Sequence, residues 1–114
     1  DAAKKDIINL YTDAANFQNA GAYPLAVDAW KKFLAKYPKD ELSSKARHYL
    51  GVCYLQLEKP DYAAAVASFR EALSDPKLEV REETLINLGW TLFYTARPEN
   101  SDKPDATKLR EALK

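Results

Sequence analysis

The chain holds one cysteine, one histidine and three glycines in 114 residues. A single cysteine excludes an intrachain disulfide and leaves the redox compartment open. One histidine with one cysteine falls short of the converging ligands that a metal ion needs. His48 and Cys53 stand five residues apart, so they do not share a helix face. No Gly/Ser-rich run is present, and a flexible junction inside the chain is not expected. Neither sign of charge dominates: Lys+Arg and Asp+Glu both number 17, and the formal net charge is zero. The basic stripe that nucleic-acid binding calls for is missing. No apolar run approaches the about 18 residues of a membrane span. The first six residues, Asp1-Ala2-Ala3-Lys4-Lys5-Asp6, carry no signal-peptide apolar core, and no lipid-anchor cysteine is visible. A removed signal and an excised segment both stay open.

What the chain does hold is periodicity. Over 46–73, Tyr49, Leu50, Cys53, Tyr54 and Leu57 recur at three- and four-residue steps. That spacing predicts one buried helix face. A break follows at Glu58-Lys59-Pro60-Asp61. Tyr62, Ala65, Val66, Phe69, Ala72 and Leu73 then repeat the period. Gly51 and the alanines fall where two helices must approach closely, since larger side chains would hold the axes apart.

The pattern recurs along the chain. Ala14, Gly51 and Gly89 are spaced by 37 and 38, and Trp30, Phe69 and Leu109 by 39 and 40. Pro38 and Pro76, also 38 apart, close units. Three units follow: 1–38, 39–76 and 77–114. In the first, Ile7, Leu10, Tyr11, Ala14 and Phe17 share a helix face, and Gly21 ends that helix. Pro24 suits the first turn of the next, whose apolar side is Ala26, Trp30, Phe33, Leu34 and Tyr37. Trp30 is expected to be a core anchor. Asp40 is the expected N-cap of the second unit. In the third, a helix over 79–96 places Leu85, Leu88, Gly89, Leu92 and Phe93 on its apolar side. A last helix over about 104–114 carries Ala106, Leu109, Ala112 and Leu113.

The combination Leu50-Gly51, Tyr54, Asp61-Tyr62, Ala65, Phe69 and Ala72-Leu73 resembles a tetratricopeptide repeat (TPR). The resemblance implies an all-α fold: an α-solenoid of about three helix-turn-helix units, or six antiparallel helices, forming one domain. These units exceed the usual length of about 34 residues, partly through longer inner turns. No polar helix follows the sixth. Stacked arrays need one, so the reading expects a piece of a longer protein, or an end covered by a partner or another copy. A narrower likeness lies in residues 29–38 and 46–54. They are similar to repeats of bacterial envelope proteins such as the Tol-Pal periplasmic coordinator and the outer-membrane assembly lipoprotein, which points toward the cell envelope.

Catalytic patterns are missing. There is no G-x-S-x-G and no phosphate-cradling glycine loop. Glu82 and Glu83 are adjacent, so on a helix they point about 100° apart and read as a solvated face. Cys53, between Val52 and Tyr54, reads as a small buried hydrophobe. No enzyme activity and no cofactor are expected.

The TPR resemblance also implies a site. Its first helices line a concave face that binds peptides or partner segments. The positions here are Tyr11, Gln18 and Asn19; Lys45, His48, Leu55 and Gln56; and Glu83, Asn87, Trp90 and Tyr94, with Ile8, Ala15, Val52 and Ile86 beside them. Aromatics among adaptable amides suit recognition. A clamp for an acidic C-terminal tail is disfavoured, because Lys45 and Asn87 alone have suitable chemistry and Glu83 would repel it. The expected function is a non-catalytic scaffold that binds a partner peptide or helix. The rivals are a glycan or peptidoglycan binder stacking on Trp90, Tyr94 and Tyr11, and a structural or self-associating spacer.

Overall fold

A computed structural model describes residues 1–96. The helix expected over 104–114 lies outside the described residues, as does Leu109. Five helices occur in the order α1 (Ala2–Asn19), α2 (Tyr23–Lys36), α3 (Ser43–Gln56), α4 (Tyr62–Leu73) and α5 (Arg81–Ala96). Among the described residues there is no strand. Each helix packs on the next one in the chain, as short connections between helices require.

Local chemistry sets the ends. Asp1 caps α1 by accepting from the Ala3 N–H. Gly21 adopts φ +75°, which lets the Ala22 N–H reach back to the Phe17 carbonyl at 2.9 Å. Pro24 sits in the first turn of α2. Asp61 caps α4 through the Ala64 N–H at 3.0 Å. Asp40 does not cap α3. Its carboxylate, a turn ahead of the helix, accepts from the N–H of Leu42, the residue at the N-cap position.

Two apolar clusters follow the same plan. The first lies between α1, α2 and α3, around Ala14, Trp30, Phe33 and Cys53, all fully buried. Tyr11 meets Trp30 edge-on at 4.9 Å, and Tyr49 stacks on Trp30 at 5.7 Å. The second joins α3, α4 and α5 around Ala65, Phe69, Leu88 and Leu92. Gly51 provides the close approach expected of it: a Cβ there would stand 2.5 Å from the Phe69 ring. Phe69 and Trp30 thus occupy matching places, each a large ring on the second helix of a pair.

The inward face of α5 differs from expectation. Thr84, Leu88, Thr91, Leu92 and Ala96 are buried, whereas Leu85 is 43% exposed. Both threonines satisfy their hydroxyls on the backbone carbonyl four residues earlier. Thr84 donates to the Val80 carbonyl at 2.6 Å and Thr91 to the Asn87 carbonyl at 2.7 Å. A hydroxyl bonded in this way buries without an orphaned polar atom. Phe17 and Tyr62, expected on buried faces, are also exposed.

Candidate partner-binding face

The expected face divides into three groups. Tyr11, Gln18 and Asn19 come together with Ala15, Trp30 and Tyr49 around a hollow of about 210 Å³. Gln18 is fixed there from the inside. Its side-chain oxygen accepts from Trp30 Nε1–H at 3.0 Å and from the Cys53 thiol at 3.4 Å. Burial pushes the Cys53 thiol up to about 11 and the Tyr11 hydroxyl up to about 12. Both therefore keep their protons at neutral pH, and Cys53 is no thiolate nucleophile. Trp30 and Tyr49, read from the sequence as core residues, also wall this hollow. No signal in the sequence pairs them with Gln18.

The second group lies on α5. Ile86, Trp90 and Tyr94 are 54%, 57% and 53% exposed. Their four-residue steps place them in one row, roughly opposite the buried face. The Trp90 and Tyr94 rings lie 6.1 Å apart, inclined by 31°. From Thr84 to Ala96 the helix carries no charge, while Glu82 and Glu83 stand in its first turn. Glu83 is exposed and Asn87 half-buried beside the row.

The third group does not form one surface. Lys45 pairs with Glu79 at 3.5 Å and borders a separate hollow of about 420 Å³ with Ser44, Asp75 and Lys77. Leu55 is half-buried against the second cluster, and Gln56 is exposed at the end of α3.

His48 is not on an accessible face. It is 4% exposed, beneath the first turn of α5. Its Nδ1 lies 2.8 Å from Thr84 Oγ1. Thr84 already gives its proton to Val80, so we assign the Nδ1–H tautomer, donating to the threonine oxygen. Phe69 and Tyr49 cover the ring. Burial holds His48 below its usual pKa of 6.5; Lys45 adds to this, and Glu83 opposes it. Above that value the folded and unfolded chains are both neutral here. As pH falls through 6.5 the unfolded chain takes up a proton that the folded chain resists, so stability is lost. The melting temperature should therefore drop between about pH 7 and pH 5. His48→Gln should flatten that drop. An equal slope in the variant would contradict it, since the chain has no other histidine. Asp6, lowered mainly by Lys36, and Asp75, lowered mainly by Ser44, act below their usual 3.8, outside this window.

Among the described residues, no three His, Cys, Asp or Glu side chains gather as metal ligands would. No described helix is long and apolar enough to cross a membrane. No family model matches the chain, and no curated protein or solved structure matches it.

Proposed function

We propose that the chain is a tetratricopeptide-type α-solenoid and a non-catalytic scaffold, and that the exposed row on α5 binds an apolar segment of a partner protein. The observation that carries this is the exposure of Ile86, Trp90 and Tyr94 in one uncharged row. Each ring can remove a large apolar area from water on docking, at about 25 cal/mol per Å². Two rings held four residues apart on a helix lose little rotamer freedom when they bind. Glu82 and Glu83 at one end of the row favour a segment that carries a basic residue next to its apolar anchors. The ring geometry favours a peptide over a glycan. Tyr11, which a three-ring platform would need, is packed edge-on against Trp30 and Phe33.

The test is a pull-down with the full-length protein to identify the partner, followed by titration of that partner. Trp90→Ala should weaken binding at least about tenfold, or ~1.4 kcal/mol, with the helical spectrum unchanged. Lys32→Ala, on the outer side of α2, is the control. Equal binding by a folded Trp90→Ala protein would place the site elsewhere.

A further inference from the structure

We propose that the hollow between α1, α2 and α3 receives an uncharged carboxamide, the side chain of a glutamine or asparagine in the partner segment. This deepens the reading of the face as a peptide-binding surface and rests on it.

Size comes first. At about 210 Å³ the hollow is smaller than the roughly 300–1,000 Å³ of sites for whole small molecules. It is several times the roughly 30 Å³ share of one water. One short side chain suits it.

Chemistry narrows the occupant. The Gln18 oxygen is held inward by Trp30 and Cys53, so its amide NH₂ is turned away from both donors. Among the described residues that NH₂ has no protein partner, and no buried side-chain nitrogen or oxygen lacks one. It is therefore open to a ligand and offers donors only. Among the described residues the Tyr11 and Tyr49 hydroxyls likewise make no hydrogen bond, and each can donate or accept. Asn19 adds an exposed amide at the rim. The occupant must accept from Gln18 and can donate to a tyrosine oxygen or to Asn19. A carboxamide does both within one flat group.

Charge excludes the neighbouring chemistries. Among the described residues no charged side chain lines the hollow, and the Glu79 carboxylate that acts on the Tyr11 hydroxyl from nearby is itself paired with Lys45. A carboxylate or ammonium entering it would lose water without gaining a counter-ion. Tyr49, half-buried and stacked on the fully buried Trp30 at an inclination of 23°, is the ring that the hollow exposes to the flat group.

The probes are the peptides N-acetyl-Gly-Gln-Gly-dimethylamide and N-acetyl-Gly-Glu-Gly-dimethylamide, which differ in the one primary carboxamide, titrated into the full chain. The Trp30 indole N–H and the Gln18 NH₂ resonances report directly. The glutamine peptide should shift both saturably, and the glutamate peptide should bind at least tenfold more weakly. Gln18→Glu keeps an oxygen for Trp30 and Cys53, replaces the outward donor by an acceptor oxygen and adds a negative charge at the hollow. It should weaken the glutamine peptide at least tenfold while the indole N–H stays protected. Should that variant fail to fold, Tyr11→Phe removes a single hydroxyl and should weaken binding several-fold. An unshifted indole N–H up to the solubility of the peptide overturns the proposal. So does equal binding of the two peptides, or an unaffected Gln18→Glu. The two readings fail separately. Partner binding lost in Trp90→Ala with a silent hollow sinks the hollow alone, and a saturable hollow supports it whatever Trp90→Ala does.

Discussion

Phe69→Ala should destabilise the protein by about 3–5 kcal/mol. The ring is fully buried between α3, α4 and α5, covering Gly51 and lying 5.9 Å from the His48 ring. Its removal leaves a void that helices pinned on both sides cannot close. A companion variant identifies the contact itself. Gly51→Ala improves helix propensity by about 1 kcal/mol. It also drives a Cβ into a ring that has nowhere to go, at about 1–3 kcal/mol. In the natural background the net should be a loss. In the Phe69→Ala background the obstacle is gone, and Gly51→Ala should turn stabilising. Chemical denaturation of the four proteins in that cycle measures the coupling. Strict additivity would show that Gly51 and Phe69 do not share the contact.

The two tryptophans should behave oppositely. Trp30→Ala should cost about 3–5 kcal/mol, for it removes a fully buried side chain. It also deprives Gln18 of a donor and Tyr11 and Tyr49 of the ring they pack on. Trp90→Ala should stay within about 0.5 kcal/mol, because more than half of that side chain faces solvent. A Trp90→Ala protein that melts as early as Trp30→Ala would make Trp90 a core residue and remove the basis for the α5 site. Fluorescence should show the same division before any mutation, since a quencher in solution reaches Trp90 and not Trp30.

Periodicity and breaks placed the five described helices within a few residues. The helix end at Gly21 and the start at Pro24 were legible because each depends only on its immediate neighbours. The core positions of Trp30 and Phe69 were also legible, because a large ring repeated opposite Ala14 and Gly51 has few other places to go. Asp40 was misplaced by a single turn, a difference that depends on how the Leu42 backbone approaches it.

A three-to-four-residue period says that a helix has a buried face, but it fixes that face only when polar residues stay off it. On α5 they do not. Thr84 and Thr91 bond their own backbone and bury, which turns Leu85 outward. His48 and Gln18 carry no local mark of their fates either. The partner that buries His48 is Thr84, 36 residues away, and those that fix Gln18 are Trp30 and Cys53, 12 and 35 away. Local sequence thus determined the helices and the rings between them. Their rotation about their own axes was decided by contacts across the packed helices, and with it which polar groups were used up inside and which were left to meet a ligand.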